Sequence, residues 1–422
     1  MVEHRSLGLF QFRIVQDPSP EDWNRVRRYA SWMRGVLLTD HSVLGQGTLP
    51  KLRLNMPAGG WFPALQDLSW SITESKLTHV DLFFSPNLKN VLIYPPRYKA
   101  WAPHTILPAA ASAISILPAS ALQSLIITDS GNHVLWEHLK DSFSSLILRC
   151  GSSLTELISP IPLTDAAINH LIRLPHLHTW RVGDPPPNYS ASSLPSAFPP
   201  LTKFLLEKSA ARGWISLFER IENHVSTTQG VTPLSEVKRS LKFLEIETHF
   251  SPILDASFAS RIQIFHNLVS LTVDARCPKE HGAGQCIVKL SDDDITELAM
   301  ALPQLEYLLL GDPCENTCAT TAACLLPISV YCLKLKQLEI HFNTANIADD
   351  LEGALKGPRF QALRALPRCT LECLDVWRIP LTLDGPGFET VLNGLLDIFP
   401  SLKYCEGLWD AWEELNKRIE ER

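Results

Sequence analysis

A six-residue frame, L-x-x-L-x-L, recurs along this chain and limits its fold more than any other feature. Residues 305–310 (LEYLLL), 335–340 (LKQLEI), 371–376 (LECLDV), 241–246 (LKFLEI), 268–273 (LVSLTV) and 122–127 (LQSLII) carry it cleanly. Weaker copies stand at 49–54 (LPKLRL), 65–70 (LQDLSW), 88–93 (LKNVLI), 177–182 (LHTWRV) and 201–206 (LTKFLL). In an extended segment side chains alternate faces, so the fourth and sixth positions point inward together, as Leu308 with Leu310 or Leu374 with Val376. The residue between them faces out. The first leucine returns to the core through the bend that enters the strand. One such strand cannot bury its apolar face alone but stacked neighbours can, which makes the frame one turn of a repeating solenoid.

Parallel neighbours need a crossover, commonly a helix. Residues 163–182 and 290–310 share one plan: a polar cap, a helix, a proline, then the strand frame. In the second, Ser291 is a good N-cap and Asp292, Asp293 and Asp294 suit the positive start of a helix. Ile295, Leu298, Ala299 and Leu302 form one apolar stripe, and Pro303 stops the helix. Thr164, Ile168, Leu171 and Pro175 take the same parts in the first.

Starting leucines lie as few as 11 residues apart (Leu77 to Leu88) and as many as 40 (Leu201 to Leu241). A regular array would hold a period of roughly 20–29 residues. The expected fold is therefore α/β, an irregular leucine-rich-repeat solenoid of the ribonuclease-inhibitor-like horseshoe type with a curved parallel β-sheet. Residues 1–32 read as an N-terminal cap segment, 33–407 as the solenoid and 408–422 as a capping helix. In that last stretch Leu408, Trp412, Leu415 and Ile419 recur at helical spacing. The Pro/Ser-rich segment 183–200 and the polar segments 226–240 and 274–288 read as loops on one rim.

With 45% hydrophobic residues, the 422-residue chain has ample material for a core. Its formal charge of -7, from 45 acids against 38 bases, argues against a dedicated nucleic-acid binder. The first residues lack the pattern of a signal peptide, and the longest apolar stretch, 106–117, is too short to span a bilayer and contains Pro108. No membrane partner is expected. Ten cysteines, mostly after position 276, resemble buried free thiols rather than a disulfide framework. An intracellular protein, cytoplasmic or nuclear, is the reading that follows.

No phosphate-cradling glycine loop, nucleophile elbow or H-E-x-x-H motif is present, so no enzyme activity, cofactor or metal is expected. Cys277, His281 and Cys286 form one metal-like grouping, Cys314, Cys318 and Cys324 a second, and Cys369 with Cys373 a third. Zinc sites favour C-x2-C pairs, whereas here the cysteines are separated by eight, three, five and three residues. Ordinary thiols explain them.

What remains is the outward side of the strand ladder. The residue between the two core positions and the one just after them are Glu245 and Glu247, Thr272 and Asp274, Glu339 and His341, and Asp375 and Trp377. Like charges on adjacent parallel strands repel, so this surface suits a basic protein partner, with Trp377 as an aromatic anchor. A solvated polar face without a partner accounts for the same residues.

Residues 22–38 (DWNRVRRYASWMRGVLL), 62–70 (FPALQDLSW) and 82–93 (LFFSPNLKNVLI) resemble the repeat region of the F-box and leucine-rich-repeat proteins of mushroom-forming fungi. That resemblance implies a region that selects proteins for an SCF-type ubiquitin ligase, downstream of an F-box that docks on the Skp-type adaptor. Residues 1–21 contain no segment of the L-P-x-E-[IL]-x-x-x-[IL]-F type. Adaptor binding is therefore expected only if an F-box lies upstream. A stand-alone scaffold or competitor, binding the same proteins without ligase coupling, is the alternative.

Overall fold

The computed structural model describes residues 18–38, 48–71, 79–94, 103–128, 133–182, 201–207, 240–248, 255–276, 289–312, 319–376, 386–406 and 410–421. The chain divides into two compact units, Met1–Pro195 and Ser196–Arg422, where the repeat pattern alone suggests one array over 33–407.

Among the described residues of the first unit, six parallel strands pair in chain order: β1 (Gly35–Leu38), β2 (Asp67–Ser71), β3 (Asn90–Tyr94), β4 (Ser124–Ile127), β5 (Glu156–Ile158) and β6 (Thr179–Val182). Helix α1 (Pro20–Ala30) precedes them, and α2 (Thr48–Leu54), α3 (Pro103–Ile116), α4 (His133–Arg149) and α5 (Asp165–Leu171) lie between strands. The fourth frame position forms one continuous column, Leu68, Val91, Leu125, Leu157 and Trp180 in register, each no more than 2% exposed. Leu65, Leu88, Leu122, Leu154 and Leu177, the leading leucines, are fully buried beside it.

The second unit repeats the plan with β7 (Lys203–Glu207), β8 (Phe243–Thr248), β9 (Ser270–Arg276), β10 (Tyr307–Asp312), β11 (Gln337–Ile340), β12 (Cys373–Asp375) and β13 (Tyr404–Glu406). Helices α6 (Ala256–Ile262), α7 (Asp292–Ala301), α8 (Leu325–Tyr331), α9 (Ile347–Lys356) and α10 (Pro386–Ile398) cross between strands, and α11 (Asp410–Glu420) closes the series. Leu308, Leu338 and Leu374 stand opposite one another on three neighbouring strands, as the frame requires. Each buried leucine of this column contributes roughly 1.5–3 kcal/mol relative to exposure. Each unit is thus an α/β leucine-rich-repeat solenoid.

One backbone device fixes the register. The carbonyl of the second frame residue accepts two N–H groups from the next repeat. Lys336 and Gln337 both donate to the Glu306 carbonyl at 2.9 and 3.2 Å, and Glu372 and Cys373 both donate to that of Lys336 at 2.9 and 3.1 Å. A one-residue slip would break these pairs and turn every leucine to the wrong face. Strand β10 ends in a register shift between Leu310 and Asp312, where Gly311 takes φ 49°, a conformation that favours glycine.

Residues 49–54 depart from the frame. They lie in α2, and Leu54 is 84% exposed. Pro50 accounts for the difference: it cannot donate to a strand ladder but is tolerated in the first turn of a helix. Conversely, degenerate frames do form strands at β5 (Leu154, Leu157, Ser159) and β13 (Leu402, Cys405). Of the proposed rim loops, residues 274–276 belong to β9, and 183–200 and 226–239 lie outside the described residues.

The crossover 290–310 begins as its sequence suggests, with Ser291 and Asp294 in a reciprocal capping box. Thr164 holds the corresponding position before α5 but makes no side-chain cap. Its N–H instead donates to the Ser144 hydroxyl at 2.9 Å. The C-terminal helix α11 packs on β13 through Trp412, Leu415 and Ile419. Asn416 reaches the open edge of β13, where its side-chain amide accepts from the Cys405 N–H and donates to the Cys405 carbonyl at 2.6 Å. An amide side chain thereby takes the place of a further strand.

Asp350, in the first turn of α9, has its carboxyl raised above the usual carboxylate range by burial, and then by the charges of Asp292 and Asp349. Ionising it therefore opposes folding. The destabilisation is absent below the unfolded value near about 3.9 and complete above the higher folded value. Asp350→Asn is expected to stabilise the protein at pH 7, with the gain disappearing as pH falls through that window. Urea midpoints measured from pH 3 to pH 7 check this, and a gain that persists at pH 3 would disprove it.

Candidate sheet-face binding site

Strand alternation sends frame positions three and five to the helix-free face of the second unit. Position three gives Lys203, Phe243, Ser270, Tyr307, Gln337, Cys373 and Tyr404 in register. Position five gives Leu205, Glu245, Thr272, Leu309, Glu339, Asp375 and Glu406. A mixed row holding the rings of Phe243, Tyr307 and Tyr404 and a row holding four acids thus run side by side across the strands.

The position-three row floors a shallow groove of about 400 Å³, lined by Phe243, Ser270, Tyr307, Gln337, Cys373 and Tyr404. Phe243 is 41% exposed and Tyr404 39%, so two rings are open to solvent. Along one rim, ion pairs join successive repeats: Glu306 with Lys336 at 2.7 Å and Glu372 with Lys403 at 3.1 Å. Exposed pairs of this kind add little stability, but they leave the rim near neutral. At the other end of the acid row, Lys203 lies 3.9 Å from Glu245.

The acid row makes its field felt on the groove. Burial, followed by the negative charges of Glu339, Asp375 and Glu245, pushes the Tyr307 phenol up to about 12. Burial also raises the Cys373 thiol, with Glu406, Asp375 and Glu339 acting in the same direction. Tyr404, hydrogen-bonded to Cys373, is pushed up to about 12. All three are held in their neutral forms at neutral pH.

Of the residues singled out from sequence, Glu339 and Asp375 stand on neighbouring strands of this face, whereas Glu245 lies three strands from Glu339, with Thr272 and Leu309 between them in register. Glu247 and Asp274 are backbone register partners on β8 and β9. His341 does not present itself to solvent: it is 8% exposed. Strand β11 ends at Ile340, so alternation no longer governs the next residue, and the chain turns inward. Trp377 lies outside the described residues. The aromatic row and Glu406 were missed, although the same alternation that selects position five also selects position three.

Of the cysteines grouped from sequence, Cys324, Cys369 and Cys373 are described and are buried thiols, as are Cys150, Cys332 and Cys405. Cys277, His281, Cys286, Cys314 and Cys318 lie outside the described residues. Among the described residues no group of three or more His, Cys, Asp or Glu side chains could hold a metal, and no helix is long and apolar enough to cross a membrane.

No protein-family model matches the chain, and no curated protein matches it in sequence. Solved leucine-rich-repeat structures do. The leucine-rich repeat-containing protein LegL7 of Legionella pneumophila is 11% identical, with 77% of this chain and 97% of that chain covered at a TM-score of 0.29. A leucine-rich-repeat protein of Leptospira interrogans is 12% identical, with 96% and 98% covered at a TM-score of 0.35. The fold assignment rests on the strand ladder itself.

Proposed function

We propose that this chain is a non-enzymatic protein-interaction module whose second unit binds a positively charged protein segment on its helix-free sheet face. The observation that carries this reading is the acid row Glu245, Glu339, Asp375 and Glu406 set in register beside an open aromatic groove. Adjacent like charges on parallel strands are relieved when a cationic partner binds, and exposed rings supply anchoring contacts.

A short Lys/Arg-rich peptide carrying one tryptophan tests the reading by fluorescence anisotropy. The pair Glu339→Lys and Asp375→Lys is expected to weaken its binding at least about tenfold, equal to about 1.4 kcal/mol. Raising the salt from about 0.05 to 0.5 M is expected to weaken the unaltered protein in the same direction. Equal affinity for both proteins would refute the site.

Resemblance to the mushroom F-box proteins supports a finer form, in which the bound segment belongs to a protein marked for ubiquitination. Retention of a Skp-type adaptor by the immobilised chain tests that coupling. Peptide binding without adaptor retention supports the stand-alone scaffold instead.

A further inference from the structure

The chain itself carries a segment whose charge is opposite to that of the acid row. Helix α1 has two faces. Trp23 and Ala30 are buried, and the Trp23 ring lies 5.5 Å from that of Trp61, which fixes the helix by its back. On the front, Arg25 stands three and four residues before Arg28 and Tyr29 and is ion-paired with Glu21 at 2.9 Å, and Trp32 follows in the turn just past the helix end. Tyr29 is 61% exposed and Trp32 65%, in edge-on contact at 5.8 Å. Arg25 and Arg28 are exposed as well. A tryptophan is highly buried on average, so one this open beside two guanidinium groups marks a contact surface.

We infer that this surface docks into the sheet-face groove of a second copy of the chain. The inference rests on the function proposed above and names its partner. Spacing as well as charge supports it. Three residues of helix advance about 4.5 Å, close to the roughly 4.8 Å between neighbouring strands. A helix laid across the strands sets Arg25 over Asp375 on β12 and Arg28 over Glu339 on β11. It carries Trp32 one strand further, to Tyr307 on β10. An extended segment matches less well, because its same-face residues recur every 6.6 Å or so and fall out of step with the strands.

Each copy then owns one plug and one socket on different surfaces. Such a contact is heterologous, so one copy can engage two others. Arg25→Glu with Arg28→Glu removes the plug and leaves the socket. Glu339→Arg with Asp375→Arg does the reverse.

Sedimentation equilibrium reads the result. At low salt the unaltered protein is expected to gain mean mass steadily with concentration, and to lose most of that gain in about 0.5 M salt. Either altered protein alone is expected to associate at least tenfold more weakly. Mixed in equal amounts, the two are expected to form dimers and stop there, because only one intact contact remains per pair. Trp32→Ala, which changes no charge, is expected to weaken the association several-fold. A monomeric unaltered protein, undiminished growth of either variant, or a mixture that stays monomeric would each overturn the inference. The plug variant also separates the two ideas: if it binds the Lys/Arg-rich peptide while the unaltered protein stays monomeric, self-docking falls and the groove's function stands. If neither is seen, both fall.

Discussion

Trp412→Ala is expected to destabilise the second unit by about 3–5 kcal/mol, the usual range for deleting a large buried aromatic side chain. The indole is fully buried, with Leu415 and Ile419 on the same side of α11, and together they seal the end of the leucine column against β13. A solenoid needs such a seal because its last repeat has no neighbour to cover it. The variant loses more than packing. Loosening α11 also withdraws Asn416 from the Cys405 N–H and carbonyl, which bares the edge of β13 as a template for another strand. Urea unfolding is therefore expected to shift to lower midpoints, and the concentration dependence of light scattering is expected to rise. Asn416→Ala, which leaves the apolar seal intact, is expected to lose only about 1–3 kcal/mol. If the two substitutions have equal effects, or if Trp412→Ala lies within about 0.5 kcal/mol of the unaltered protein, α11 is not the seal described here.

The leucine frame located most strands because buried parallel strands must be aliphatic at fixed positions, and that demand is written directly into residue type. It failed at residues 49–54, where Pro50 makes a strand costly and the same leucines serve a helix. It was too strict at β13, where Cys405 does the work of a leucine, and at β5, where buried Ser159 stands at the sixth position. The candidate site was half legible. Glu245, Glu339 and Asp375 follow from alternation, but His341 required knowing that β11 stops one residue earlier. Tyr307 and Tyr404 obey the same alternation, but their share in one groove depends on the register of their strands. That the acids and the rings of different strands line up in rows depends on register between segments 27 to 40 residues apart, which no local pattern encodes.

Asp292 shows how a correct local reading can hide a larger role. Three acids at the start of α7 satisfy the helix dipole, and each would be worth about 0.3–1 kcal/mol on that ground alone. In the folded protein Asp292 is only 8% exposed and reaches into the next repeat. Its carboxylate accepts the Thr321 N–H and the Thr321 hydroxyl, both at 2.7 Å. It therefore ties the start of one crossover to the turn that leads into the following one. Hydrogen bonds to a charged group contribute about 1.5–3 kcal/mol each, so Asp292→Ala is expected to destabilise by roughly 3 kcal/mol. Relief of the repulsion on Asp350 trims this figure slightly. Asp293→Ala, on the exposed side of the same turn, is expected to lie within about 1 kcal/mol of the unaltered protein. Asp292→Asn keeps an acceptor for the Thr321 N–H and a donor for its hydroxyl, so it is expected to fall between the two. Equal effects at positions 292 and 293 in urea titrations at pH 7 would leave the dipole as the whole explanation and remove the tether.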